Sequence, residues 1–390
     1  MATEPSFPDE ILVEILLKLP VKSILRFKTL SKHYYSLIRS QFFIRQHLAL
    51  ARLNDKLNYY DQSIVRPILD SIRLFNNRSS YFEELNAPPP FRTTTVGPSN
   101  FKYLISGPVD GLYCYIDPMC DTFAVWNPST RETFILPSLS DAYNKHIAKV
   151  SFRAPLYFRR CSACGFGYDD TTDDYKVVLI HKFKNINKYK LFSIFTFSVS
   201  KCEWRKTEES FGLDNSNIKS HIGVFVRGAC HWLYEPSSNL GYSILAFDMS
   251  TELHRIIAFP TVGDEHAWSD VCIVTFNGFL GLVNAQEVDC TLHWTGVSPS
   301  FDVWVMDEYS VTESWTIFYR VSLEPGIVGR FLGIVKNRVY VGEYERHLVS
   351  YDLDSKDKKC YINILDRLNR GYLDYFVPYE ESLVRIIKQD

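Results

Sequence analysis

The feature that most narrows the folds open to this chain is a turn written into it six times. An aromatic or apolar residue is followed by Asn or Asp, and three residues later by Ser or Thr. It occurs at Phe75-Asn76…Ser79, Trp126-Asn127…Thr130, Phe247-Asp248…Thr251, Met306-Asp307…Ser310 and Tyr351-Asp352…Ser355, with a degenerate copy at Phe197-Ser198…Lys201. Each copy ends an alternating apolar run, such as Phe123-Ala124-Val125-Trp126, and leads into another, such as Phe134-Ile135-Leu136. The short polar side chain can accept a hydrogen bond from the backbone two residues on, so a hairpin is encoded locally at each copy. The copies lie 51, 71, 50, 59 and 45 residues apart, near the length of a four-stranded propeller blade. A lone blade has two apolar faces to cover, so several must close into a ring. The expectation is a mainly β chain whose large part is a β-propeller of about six blades, with five or seven as neighbouring counts and an irregular β-sandwich as the alternative. An aromatic content of 15% favours strands.

Glycine-bearing or polar turns also precede most copies: Asp110-Gly111, Arg227-Gly228, Asn277-Gly278 and Lys336-Asn337. The segment from Gly165 to Val178 reads as two strands around an acidic turn holding Asp169, Asp170, Asp173 and Asp174. Its spacing lacks the glycine and terminal glutamate of a calcium loop, so an exposed hairpin turn is expected there. Trp126, Trp232, Trp304 and Trp315 fall in strands and are expected in the blade cores.

The first fifty residues follow another period. Ile11, Leu12, Ile15, Leu16 and Leu19 repeat at helical spacing. Pro8 suits a first turn, Asp9 and Glu10 complement the helix dipole, and Pro20 ends the helix. A second short helix carries Ile24, Leu25 and Phe27. A third starts at about Ser31, and a fourth is expected over 41–53. Such a unit is too small to cover its own apolar surface. Some of these side chains must meet another surface. The expected division is 1–53 helical and 54–390 propeller.

Residues 7–43 carry a resemblance to the F-box, through Phe7-Pro8-Asp9-Glu10-Ile11-Leu12, Ile15-Leu16, Lys18-Leu19-Pro20, Lys22-Ser23, Arg26-Phe27-Lys28 and Ser31-Lys32. Two positions depart from that family, Phe7 where it usually has Leu and Tyr34 where it usually has Trp; both keep an apolar or aromatic body. The segments 126–132, 165–178, 244–252 and 304–315 resemble the C-terminal F-box-associated domain of plant F-box proteins, and YEESLVRI at 379–386 is similar to that family's closing strand. Within the family the chain is similar to the S-locus F-box and related pollen or defence-regulating groups.

The resemblance implies a substrate receptor of a Skp–cullin–F-box ubiquitin ligase, itself non-catalytic. It would dock a Skp-family adaptor, and through it a cullin and a RING protein. Pro8, Ile11, Leu12, Ile15, Leu16, Leu19, Pro20, Ile24 and Leu25 are the expected adaptor contacts. Substrate is expected on loops at one rim of the ring, near 138–160, 208–221, 261–270 and 285–301. Their charged candidates are His146, Lys149, Arg153, Arg159 and Arg160, with Asp264, Glu265 and Asp270 of opposite sign. Membership of the S-locus group would imply a basic secreted ribonuclease as substrate. The alternatives are a binding propeller that works outside any ligase, and a propeller enzyme such as a glycosidase.

Charge and cysteine content bear on the rest. The chain has 43 Lys and Arg against 45 Asp and Glu, a net charge of −2, so no bulk field draws it to nucleic acid. The balance is uneven: residues 1–52 carry +4, leaving −6 on the remainder, and from Lys18 to Arg52 there is no acid at all. That run reads as a solvated basic face or as a match for an acidic adaptor. Nine scattered cysteines and the absence of a signal-like or membrane-length apolar segment lead to the expectation of a reduced protein of the cytoplasm, with the nucleus as the alternative. Cys161-x-x-Cys164 has no second pair at zinc spacing, and no catalytic constellation or cofactor loop is found. No metal or cofactor is expected.

Overall fold

The computed structural model describes residues 8–55, 62–67, 72–76, 79, 81–85, 104–117, 122–139, 161–184, 190–207, 217–236, 241–260, 268, 270–286, 300–322, 329–343, 348–361 and 373–386. Four helices come first: α1 (Asp9–Leu17), α2 (Val21–Phe27), α3 (Lys32–Arg39) and α4 (Gln41–Asp55). All the long strands follow, in antiparallel meanders.

Five blades are built from consecutive strands. Blade 1 comprises Leu104–Val109, Leu112–Asp117, Thr122–Asn127 and Glu132–Ile135. Blade 2 comprises Cys161–Asp169, Asp174–Lys184, Lys190–Ser198 and Glu203–Lys206. Blade 3 has five strands, because Asn217–Ile218 and Val224–Val226 both pair with Ala229–Glu235 before Ser243–Asp248 and His254–Ala258 complete it. Blade 4 runs Asp270–Phe276, Phe279–Gln286, Ser300–Met306 and Trp315–Ser322; blade 5 runs Gly329–Val335, Arg338–Glu343, Leu348–Asp352 and Lys358–Tyr361.

The expectation of about six blades is corrected here to five blades and one composite sheet. The remaining sheet is composite, with Leu373–Pro378 innermost and Gln62–Pro67, Arg73–Asn76 and Tyr81–Glu84 outside it. The two ends of the propeller segment thus share one sheet, with Ser63 opposite Pro378. A strand supplied from each end fastens a ring that would otherwise expose two sheet edges. The closing strand is Leu373–Pro378, so the expectation that 379–386 is a strand is also corrected.

Apolar clusters fill the gaps between neighbouring sheets. Val125, Leu179 and Trp204 pack between blades 1 and 2, and Trp232, wholly buried, between blades 2 and 3. Trp304 and Trp315 lie between blades 3 and 4. Phe75, Tyr340 and Phe376 join blade 5 to the closing sheet, and Trp126 joins that sheet to blade 1. All four tryptophans sit in these cores as the strand pattern requires.

The repeated turn joins the third and fourth strands. Asn127 Oδ1 accepts from the N–H groups of Ser129 (2.9 Å) and Thr130 (3.2 Å), Asp248 Oδ1 from Ser250 and Thr251, and Asp352 Oδ1 from Asp354 and Ser355. Asn76 accepts from Ser79, and in the degenerate copy the Ser198 hydroxyl accepts from Lys201 N–H. The copy at Met306-Asp307 departs, opening into a longer connection with a 3₁₀ turn at Thr312–Ser314. The acidic turn of blade 2 departs too. Asp169 and Asp174 are buried, Asp169 in an ion pair with buried Lys176 (2.7 Å) and Asp174 accepting from Ser198 and Ser200. Burial would raise the Asp169 pKa, but bonds from Lys176, Thr172 and Ser250 hold it well below the usual carboxylate range. Two of the four carboxylates are therefore buried instead of facing solvent: Asp169 joins blade 2 to Ser250 of blade 3, and Asp174 braces the Ser198 turn within blade 2.

Candidate docking surface

Proline sets the first two helix starts. Pro8 and Pro20 hold extended backbone at the N-caps of α1 and α2, where a missing N–H costs nothing. Ser31 caps α3 by accepting from Tyr34 N–H at 3.2 Å. His47 of α4 bonds the carbonyl of Leu19 at 3.1 Å, tying the end of α1 to α4.

The helices have an inner and an outer face. Leu16, Val21, Ile24, Ile38, Phe43 and Ile44 make one buried cluster, which Leu383 from the far end of the chain completes. On the outer face Ile11 and Ile15 are 46% and 49% exposed, one helical turn apart and in line with exposed Pro8. Leu12, Leu19, Pro20 and Leu25 are half-buried at the margin. Of the nine expected adaptor contacts, Leu16 and Ile24 face inward. They have no surface to offer, because a broad apolar stripe on a short helix must cover its own core first. Leu30, Tyr35 and Phe42 are also exposed, outside the nine expected contacts.

Residues 379–386 form a strap between helices and ring. Asn127 Nδ2 donates to the carbonyls of Ser382 (3.0 Å) and Val384 (2.9 Å), so one repeat residue both builds its turn and holds the strap. Glu381 accepts from Val21 N–H at 3.1 Å, and Glu380 from Gly111 N–H at 3.1 Å. Arg52 of α4 bridges Glu380 and Asp110, and Tyr175 donates to Asp110 at 2.7 Å. Burial pushes both Glu380 and Glu381 up, against the pull of Arg52 on the first and of the Val21 N–H on the second. Arg52 is held above its ordinary value because its two carboxylates outweigh burial.

Gly111 is the tightest point of this junction. Its φ is +74°, and an added Cβ would stand 2.3 Å from Ser382 Cβ and 2.8 Å from the Glu380 carbonyl. Gly111→Ala is therefore expected to destabilise the protein by about 2 kcal/mol or more and to loosen the strap. Denaturant melts and limited proteolysis at the C-terminus would check this; wild-type behaviour in both would show that the strap does not constrain the turn.

Strand direction decides what lies opposite the helices. The first-to-second strand turns at Asp110 and Asp173 meet Arg52 and Arg45, so this rim faces the helices. In an antiparallel meander the second-to-third strand connections and the crossings between blades then leave from the other rim. The segments near 138–160, 208–221, 261–270 and 285–301 all depart from strand ends of that second kind. His146, Lys149, Arg153, Arg159, Arg160, Asp264 and Glu265 lie outside the described residues. Asp270 opens the inner strand of blade 4, opposite Ala285. Cys164 is buried. Among the described residues there is no cluster of three or more His, Cys, Asp or Glu fit for a metal ion, and no helix is long and apolar enough to cross a membrane.

Comparison with known families agrees with this geometry. Residues 5–46 match the F-box domain, and residues 73–324 match the F-box associated beta propeller domain. The chain belongs to the plant-type F-box proteins with an associated β-propeller. It is similar to F-box protein CPR1 of Arabidopsis thaliana, 28% identical over 389 residues that cover 95% of this chain and 82% of that one. It is also similar to F-box/kelch-repeat protein At3g23880 of the same plant, 26% identical over 367 residues, 90% of this chain and 89% of that one. F-box proteins are in general receptor subunits that bind Skp-family adaptors, and this F-box protein presents its apolar stripe on the side of α1 that its own core leaves uncovered.

Proposed function

We propose that this F-box protein is the substrate-recognition subunit of a Skp–cullin–F-box ubiquitin ligase. Pro8, Ile11 and Ile15 dock the adaptor, with Leu12, Leu19, Pro20 and Leu25 at the margin, and the loops of the far rim hold a protein substrate. The observation that carries this reading is the strap. It fixes the helices on one rim of a closed ring, while the long connections leave from the other. A receptor built this way accelerates ubiquitin transfer by position alone, since holding a target lysine near a charged conjugating enzyme raises its effective concentration. The −6 balance outside the first 52 residues suits a basic substrate, and a basic secreted ribonuclease of the S-locus kind is the class to try first.

The test is reconstitution with adaptor, cullin, RING protein and conjugating enzyme, using partners captured by the full chain. Ubiquitin is expected on a captured partner only when this chain is present. Adaptor binding without transfer to any captured partner would sink the ligase role and favour a binding propeller outside any ligase.

A further inference from the structure

Part of the unbroken basic run from Lys18 to Arg52 faces the ring and not the outer face of α1. Two of its members, Lys28 and Arg39, line a cavity of about 190 Å³ between the helices and the ring. Arg131 and Glu132, in the repeat turn of blade 1, and Arg385 of the strap line it from the ring side. Four cations thus face one carboxylate.

That carboxylate is already engaged. Glu132 stands 3.9 Å from Arg385 and accepts from Ile386 N–H at 3.3 Å. Lys28 and Arg39 share the ring of Tyr35, at 5.4 and 4.9 Å from its centroid. Among the described residues no carboxylate lies within ion-pair distance of Lys28, Arg39 or Arg131. Like charges gathered in one cleft repel, and an anion entering it would relieve that repulsion while forming charge-assisted bonds. The remaining lining is Thr130 and the apolar Leu25, Ile38, Ile44 and Leu383. The volume exceeds the ~150 Å³ that accommodates a benzene ring and is below the ~300 Å³ of a drug-sized site.

We infer that this seam binds a small organic polyanion: a ring-sized apolar body carrying two or more carboxylate or phosphate groups. The body rests on Leu25, Ile38, Ile44 and Leu383, and the anionic groups meet Lys28, Arg39, Arg131 and Arg385. Such a ligand touches α2, α3, α4, blade 1 and the strap at once, so it stiffens the joint between the helices and the ring. The inference does not rest on the ligase reading.

Titration calorimetry on the full chain tests it, with benzene-1,2,4,5-tetracarboxylate and tripolyphosphate as probes at about 0.15 M salt. The ring compound is expected to bind one to one, more tightly than tripolyphosphate, and to lose at least about tenfold in affinity in Lys28→Gln/Arg131→Gln. Lys206→Gln, on the outer strand of blade 2, is expected to leave binding unchanged. A readout that needs no variant is the wild-type melting temperature, which saturating ring compound is expected to raise. Absence of saturable binding, equal loss in Lys206→Gln, or tighter binding of tripolyphosphate would overturn the site as described. So would displacement of the ring compound by an acidic peptide of higher affinity, since the seam would then be a protein-docking surface.

Discussion

Ile11→Asp/Ile15→Asp is expected to lower adaptor affinity by ~100-fold or more while leaving the melting temperature of the chain near wild type. Both side chains are about half exposed on one face of α1 and neither belongs to the buried cluster of the helices, so a charge there leaves that cluster intact. At a docked interface two apolar anchors of this kind each contribute on the order of 2 kcal/mol, and a buried unpaired carboxylate adds its own desolvation cost. The contrasting variant is Leu16→Asp. Leu16 is 1% exposed inside the cluster with Val21, Ile24, Phe43 and Leu383, and a charge in that cluster is expected to unfold the helices. Loss of adaptor capture in Leu16→Asp therefore says nothing about the interface. Capture by purified adaptor, read beside a thermal melt, separates the two cases. Undiminished capture by the Ile11→Asp/Ile15→Asp protein would place the adaptor elsewhere.

Local chemistry explains what could be seen in the sequence. An Asn or Asp turn is decided within four residues, so Asn127, Asp248 and Asp352 could be placed at hairpins without knowing the fold. The tryptophans were legible for a related reason, since alternation in a strand assigns one face to the core. Ring closure was not legible. The pairing of Ser63 with Pro378 joins residues over three hundred positions apart, and nothing in either segment names the other. The motif near the C-terminus drew attention to 379–386, yet the strand lies just before it and the motif itself became the strap. Its function depends on Asn127 and Val21, which are far away in sequence.

The docking surface was half legible for a physical reason. Helical spacing identifies which residues share a stripe, but a short helix divides that stripe between its own core and an outside partner. Ile11 and Ile15 differ from Leu16 by their angle about the helix axis and by what α4 and Leu383 place beneath them. That division follows from tertiary packing and from no property of α1 alone. The buried acids of blade 2 teach the same lesson. Asp169 and Asp174 read as solvated turn residues until Lys176, Ser198 and Ser250 close around them.

The stability of this protein is expected to fall as the pH drops from about 6.5 towards 4, through two buried histidines. His181 and His231 are buried, and burial pushes each down from 6.5 to about 4. His231 sits between the carbonyl of Val224 (3.1 Å) and the hydroxyl of Tyr309 (2.7 Å), with Arg255 over the Tyr309 ring adding to the depression. In the unfolded chain both imidazoles take up protons as the pH falls below about 6.5, while the folded protein does not until about 4. Unfolding therefore binds up to two extra protons in that window, and stability falls as pH falls through it. Each histidine accounts for roughly 3 kcal/mol at the lower end, at 1.36 kcal/mol per pH unit, and together they rival the whole ~5–15 kcal/mol of a typical domain. The raised carboxyls of Glu380 and Glu381 act in the opposite sense, since a proton bound more tightly when folded favours the folded state in acid. The histidine contribution is isolated by comparison with His231→Gln, which stays neutral and can still bond Tyr309. Denaturant midpoints measured from pH 4.5 to 7 are expected to show about one proton less taken up on unfolding of the variant than of the wild type. Equal uptake by both would mean that His231 is already charged in the folded blade.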